Sequence, residues 1–144
     1  MSGNRLLGQL ITYVAAAAWL YCNPLFAAQP FNWQRLVDET TAQTTTDTLK
    51  LVNSHINRLN SISDLRNWQR NDYWATPMEL FERGGGDCED FAIAKYFLLL
   101  EHDVPESKLK LMFSNVYNGT TQRIEPHLVL LYQSDADAEF QVLD

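Results

Sequence analysis

The chain has 144 residues, of which 46% are hydrophobic and 20% charged, a composition typical of one globular domain and not of a disordered segment. It carries 11 Lys and Arg against 18 Asp and Glu, so its formal net charge is −7. Because an acidic chain lacks the clustered cations that bind a nucleic-acid backbone, we expect no nucleic-acid partner.

The N-terminus has the pattern of a secretory signal peptide. Arg5 is followed by an apolar run that reaches Leu20, and small residues close the segment at Ala28. We therefore predict a signal peptide at residues 1–28 and an exported, periplasmic domain at residues 29–144. An uncleaved membrane anchor is the alternative, because the apolar segment is long enough to cross a bilayer.

Two helices are predicted in the first half of this domain. Thr76, Pro77 and Glu79 match a capping box with proline at the first helical position, which predicts a helix over residues 77–83 that ends at three glycines. An amphipathic helix is predicted over residues 47–59, where four apolar residues recur at helical spacing: Leu49, Val52, Ile56 and Leu59.

The strongest helix pattern begins at Asp87, which can act as the N-cap with Asp90 three residues further on. From Phe91 to Leu100 only Lys95 is charged, so we expect this helix to be central and buried. Alternating side chains then predict strands at residues 109–113, 127–132 and 139–143. Helices followed by an antiparallel sheet indicate an α+β domain.

Cys88 is the first candidate for chemistry. It would be the single cysteine of the exported domain, because Cys22 lies in the predicted signal peptide. Its position in the first turn of a helix, after three glycines, places it beside unpaired backbone N–H groups that favour a negative charge. We therefore predict a thiol with a lowered pKa that acts as a nucleophile. The alternative is a small buried hydrophobic residue.

His127 is the candidate general base. It opens an apolar strand, where an unpartnered imidazole would be costly to bury. The loop between the last two predicted strands is centred between Asp135 and Ala136, which places His127 opposite Asp144 in an antiparallel hairpin. Opposed side chains have Cβ atoms roughly 4.5–5.5 Å apart, close enough for a hydrogen bond. The alternative is that His127 ends a strand at the surface.

Carboxylates surround the cysteine. Asp87 and Glu89 flank it directly, and nearby anions raise the pKa of a thiol, which opposes the effect of the helix N-terminus. These residues either form a solvated acidic rim or hold a cation. Their hard oxygen atoms are the ligands that Ca²⁺ takes, although the spacing is not that of an EF-hand.

Two segments carry a family resemblance. The sequences DYWATPME at residues 72–79 and GGGDCEDFAIAKY at residues 84–96 resemble the bacterial transglutaminase-like cysteine proteinases, and the resemblance extends from Leu49 to Asp144. It implies a papain-like α+β fold in which helices pack on an antiparallel sheet. It also implies a catalytic triad of a cysteine, a histidine and an aspartate.

Carried over residue by residue, the resemblance makes Cys88 the nucleophile, His127 the base and Asp144 the orienting acid. It implies a calcium ion beside the cysteine, held by Asp87 and Glu89, with Asp90 as a further candidate. It further implies that the substrate is a large surface adhesin, cut near its N-terminus so that biofilm disperses. The implied partner is an inner-membrane receptor that responds to cyclic di-GMP.

The family continues past the triad aspartate, whereas this sequence stops at Asp144. We therefore expect a fold that lacks some C-terminal strands and a chain that is a fragment or a truncated product. Three functions follow as hypotheses. The first is a calcium-dependent cysteine endopeptidase, the second an acyl transferase of the transglutaminase kind, and the third an inactive module that only binds the adhesin or the receptor.

Overall fold

Helices precede a three-stranded antiparallel sheet along residues 31–144, the part of the chain that the computed structural model describes. The signal peptide predicted at residues 1–28 lies outside it. The helices are α1 (Trp33–Thr40), α2 (Thr45–Ile56), α3 (Asp64–Trp68), α4 (Pro77–Arg83) and α5 (Cys88–Glu101). The strands are β1 (Asn60–Ser61), β2 (Gly85–Gly86), β3 (Leu109–Asn118), β4 (Arg123–Tyr132) and β5 (Gln141–Leu143). Within residues 31–144, no helix has the length and apolarity needed to span a bilayer.

The helices predicted from capping and spacing are present. Helix α4 begins and ends at the predicted residues, and Thr76 and Glu79 form the capping box. The amphipathic helix is α2, which ends three residues earlier than predicted because Asn57 caps it. Helices α1 and α3 were not predicted. Helix α1 is capped by Asn32, whose side chain accepts a hydrogen bond from the Arg35 N–H at 3.1 Å.

Helix α5 is the central helix, as its apolar sequence predicts. It contacts strand β4 on one side and helices α2 and α4 on the others. The shared core consists of side chains that are fully buried, among them Val52, Ile56, Leu80, Leu98, Leu99 and Leu130. This packing fixes the N-terminus of α5 against the sheet.

The sheet has the order β3–β4–β5, with both pairs antiparallel. Strands β3 and β4 are longer than predicted, and β4 already begins at Arg123. Pro126 lies within β4 without breaking the sheet, because β5 pairs only with residues 130–132 and leaves that edge of β4 free of strand partners within the described chain.

A second, two-stranded parallel pair joins β1 to β2 just before Cys88. Two of the glycines in this segment are required because there is no room for a side chain. A Cβ atom at Gly85 would collide with the Asn60 carbonyl oxygen, and one at Gly86 would collide with the Asp90 carboxylate. Gly84 ends helix α4 with a φ of 71°, in the left-handed region. Gly84 thus lets the chain turn out of helix α4, and Gly85 and Gly86 let it pass close to β1 and to the Asp90 side chain before helix α5 begins.

Candidate active site

Cys88 is the first residue of helix α5, with Asp87 as the N-cap, and its side chain is half-buried. Its sulfur lies beside strand β4, since the Leu128 backbone N–H is close enough to act on the thiol. Leu128 is the neighbour of His127 in the strand. The helix start and the central strand therefore bring the two predicted residues to one place.

Cys88 and His127 line the same two cavities. One cavity, of about 250 Å³, extends toward Lys95 and Asp144. The other, of about 310 Å³, extends toward Trp74 and Phe113. A ligand in either cavity would therefore meet both Cys88 and His127.

The imidazole of His127 is joined to Asp144. Its Nε2 atom lies 2.8 Å from Asp144 Oδ1, and the His127 side chain is 24% exposed. A carboxylate only accepts hydrogen bonds, so Nε2 carries the proton in this pair. In the neutral ring, Nδ1 is then the basic nitrogen, and it makes no hydrogen bond with any residue between 31 and 144.

The predicted register behind this pair was wrong by two residues. Leu130 pairs with Leu143, and Tyr132 pairs with Gln141. In this register Asp144 is not directly opposite His127 but lies diagonal to it, two residues away along the strand. The hydrogen bond survives because side chains repeat every two residues along a strand, so a shift of two keeps both on one face. The loop before β5 is longer than predicted, and β5 begins only at Gln141.

The thiol of Cys88 does not have the lowered pKa that its helix position predicts. Burial raises the pKa of Cys88 to about 11. A second cause is Glu89, whose Oε2 accepts a hydrogen bond from Sγ at 2.9 Å. The Leu128 N–H acts in the opposite direction. That prediction was wrong because burial and the adjacent carboxylates outweigh the helix N-terminus.

Three carboxylates next to the thiol form a tight group: Asp64, Asp87 and Glu89 each offer an oxygen, all within 4.8 Å of one another. Two of these residues have an oxygen, Oδ1, that is buried and finds no hydrogen-bond donor in the described chain. Burial, and then the charge of Glu89, raise the pKa of Asp87 to about 7. Unpaired buried carboxylate oxygens of this kind are costly unless a hydrogen-bond donor, a proton or a cation satisfies them.

The group fits calcium. Ca²⁺ binds carboxylate oxygens at about 2.3–2.6 Å, so two ligands of one ion lie at most about 5 Å apart. The spacing of the three oxygens meets that limit. Asp64 was not predicted as a metal ligand, because nothing in the sequence places the start of α3 beside Cys88. Its burial at 3% exposure is the signal that singles it out.

Asp90 has a different place. It is fully buried, and its Oδ1 accepts the Ala75 N–H at 2.7 Å while its Oδ2 accepts the Asp87 N–H at 3.4 Å. Burial raises the pKa of Asp90, and these two hydrogen bonds oppose the rise. Its oxygens hold the backbone on both sides of the site, and it lies outside the group of three carboxylates.

The chain is similar in sequence to a known proteinase family and in fold to solved structures. The family model described as bacterial transglutaminase-like cysteine proteinase BTLCP matches residues 17–144. A calcium-bound structure of LapG from Legionella pneumophila is 35% identical, with a TM-score of 0.64, and the match covers 78% of this chain and 60% of that one.

An EGTA-treated structure of the same LapG gives 35% identity and a TM-score of 0.63, covering 78% of this chain and 58% of the other. This chain thus spans less than two thirds of the LapG chains that it matches. None of the curated protein sequences matches it significantly. Since the family model covers most of the sequence, the chain belongs to the bacterial transglutaminase-like cysteine proteinases.

Proposed function

We propose that this protein is a calcium-dependent cysteine endopeptidase, with Cys88 as nucleophile, His127 as base and Asp144 as orienting acid. The observation that carries the proposal is the 2.8 Å hydrogen bond between His127 and Asp144, which lies beside the cavities that Cys88 lines. Nucleophile, base and orienting group in this order are the usual parts of a cysteine hydrolase.

The proton path follows from the tautomer. Because Asp144 holds the proton on Nε2, the lone pair of Nδ1 is free to take the proton of the Cys88 thiol. The thiolate then attacks a peptide carbonyl carbon, and the imidazolium returns the proton to the leaving amine. Water, deprotonated by Nδ1, hydrolyses the acyl-enzyme and restores the thiol. Asp144 stabilises the imidazolium that forms in both halves.

The acidic group explains why a cation belongs beside the nucleophile. Glu89 accepts the hydrogen bond of the thiol and is also one of the three clustered carboxylates. Calcium held by Asp64, Asp87 and Glu89 would supply positive charge that offsets these carboxylates. It would also compete with the thiol for Glu89 Oε2, the oxygen that stabilises the protonated form of Cys88. LapG of Legionella pneumophila has been seen with calcium bound and after treatment with EGTA, which supports this part of the proposal.

The substrate, partner and location that we propose derive from the family. They are a large surface adhesin cut near its N-terminus, a periplasmic site of action, and an inner-membrane receptor that responds to cyclic di-GMP. The predicted signal peptide supports export. The two cavities flanking Cys88 support a substrate that extends on both sides of the scissile bond.

A second candidate is a module that binds these partners without turnover. The hydrogen bond that the Cys88 thiol donates to Glu89 at 2.9 Å favours it, because this contact and burial raise the pKa of Cys88 and disfavour the nucleophilic form.

The experiment that separates the candidates is incubation of the protein with an adhesin N-terminal region, with calcium or with a chelator. We expect cleavage only with calcium, and none by Cys88→Ala. The matched control is Ser54→Ala, which removes a side chain of similar size from an exposed position of helix α2 and should cleave as the unaltered protein does. Cleavage by Cys88→Ala would contradict the proposal. Binding without cleavage would favour the second candidate, and incorporation of a labelled amine would indicate acyl transfer.

A further inference from the structure

Lys95 is a buried cation on the same helix as Cys88. Lys95 follows Cys88 by seven positions, which is about two helical turns, so both project from one face of α5. They line the same cavity of about 250 Å³ as His127 and Asp144. Lys95 is only 2% exposed, and its charge is the single exception in an otherwise apolar stretch of α5.

The contacts of Lys95 lead to the triad acid. Its Nζ donates a hydrogen bond to the Leu143 carbonyl oxygen at 3.3 Å, and within residues 31–144 it forms no other hydrogen bond or close ion pair. Leu143 immediately precedes Asp144 in the chain. The following main-chain oxygen, that of Asp144 itself, accepts hydrogen bonds from Asn57 at 2.8 Å and Asn53 at 3.2 Å.

Three side chains from two helices and their caps therefore hold the main-chain oxygens of Leu143 and Asp144. Two of them are neutral asparagines of helix α2 and its cap. Lys95 alone brings a charge. The titratable groups that line its cavity are Asp87, Cys88, His127 and Asp144. Among them, Asp144 is the one whose charge favours the ammonium form of Lys95.

The burial of the Lys95 charge reduces the stability of the folded state. Burial lowers the pKa of Lys95 to about 8, which means that the site disfavours the ammonium group. An apolar side chain of similar length would fill the same space without desolvating a charge. A lysine here therefore needs a reason beyond packing, and its hydrogen bond and charge both act on the segment that presents Asp144.

We infer that Lys95 is a positioning residue, which fixes the carboxylate of Asp144 against Nε2 of His127 through the Leu143 carbonyl and through its own charge. This inference rests on the proposed catalytic roles of His127 and Asp144. Lys95 itself touches no reacting atom. Its loss misplaces the acid and weakens the base without removing either.

The test uses the full chain with Lys95→Met, which removes charge and donor, and Lys95→Gln, which removes the charge but keeps a donor. The matched control is Lys50→Met, because the Lys50 side chain is 74% exposed on α2. The first readout is the downfield proton NMR resonance of the His127 Nε2–H, and the second is the kinetics of adhesin cleavage.

We expect Lys95→Met to weaken or abolish that resonance while its melting temperature does not fall. We also expect kcat to drop about 10- to 100-fold with KM nearly unchanged, as for a misplaced catalytic group. Lys95→Gln should lie between Lys95→Met and the unaltered chain, and it gives the same readouts if Lys95→Met does not fold.

A folded Lys95→Met or Lys95→Gln variant with the resonance and kcat of the unaltered chain would overturn the inference. The resonance makes this outcome independent of the proposed function. If the unaltered chain cleaves nothing, loss of the resonance in the variant still supports the role of Lys95. Cleavage by the unaltered chain with no effect of the variant removes the inference and leaves the proposed function intact.

Discussion

The two sides of the candidate active site differ in how far the chain satisfies its own charges. On the sheet side, His127 and Asp144 are paired at 2.8 Å, and Lys95 holds the strand end through a main-chain oxygen. On the acidic side, Asp64 and Asp87 each keep a buried oxygen without a donor. The charges on the sheet side are paired within the chain, whereas the carboxylates on the acidic side have no positively charged partner among residues 31–144, and we propose that calcium is that partner.

This difference indicates how the protonation of the Cys88 thiol is controlled. The acidic side keeps Cys88 protonated, because burial and Glu89 raise its pKa to about 11. The sheet side carries His127, the base that we propose. We therefore expect changes on the sheet side to act on turnover directly, and changes on the acidic side to act through the response to calcium.

The largest effect is expected for Asp144→Asn. An amide no longer stabilises the imidazolium, and its NH₂ group favours the wrong tautomer of His127, which in a serine protease triad reduces turnover about 10⁴-fold. We expect kcat for adhesin cleavage to fall about 10³- to 10⁴-fold at saturating calcium. Asp137→Asn is the matched control, since Asp137 is exposed in the loop before β5. Equal kcat values for the two variants would remove Asp144 from the triad.

A smaller effect is expected for Asp64→Asn, and it should appear only with calcium. At about 100 times its Kd, a ligand stabilises the folded state by about 2.7 kcal/mol, so calcium should raise the melting temperature of the unaltered chain. Asp64→Asn should lose most of that gain. Without calcium it should be no less stable, because Asn keeps an oxygen for the Tyr73 N–H that Asp64 binds and removes one of three mutually repelling charges.

The melting temperature with calcium and with a chelator checks this expectation, with Asp137→Asn as control. An unchanged calcium response in Asp64→Asn would exclude Asp64 as a ligand. No calcium response in the unaltered chain would exclude the cation site and leave the acidic side as a solvated rim.

The sequence predicts the parts of the site that depend on local pattern. The glycines, the N-cap and the apolar run placed Cys88 at the start of a buried helix, which the structure has at Cys88–Glu101. Side chains alternate between the two faces of a strand, so the sequence correctly placed His127 and Asp144 on one face although the predicted register differed from the observed one by two residues. Family membership could be predicted from the segment around Cys88, because its motif is specific.

What the sequence does not predict depends on contacts between distant segments. Asp64 joins the acidic group because a short, unpredicted helix, α3, packs beside the start of α5. The pKa of Cys88 depends on burial and on the Glu89 rotamer, which no spacing reveals. Lys95 was visible as a lone charge in an apolar helix, but its partner, the Leu143 carbonyl, is set by the tertiary fold.

The most direct test of the central claim is the rate at which a small alkylating agent labels Cys88, measured by mass spectrometry at neutral pH. We expect rapid labelling with calcium, and labelling slowed to the rate of an ordinary buried thiol by a chelator or by His127→Ala. Labelling at one slow rate under all three conditions would contradict the claim that His127 and a calcium ion on the acidic side together activate Cys88.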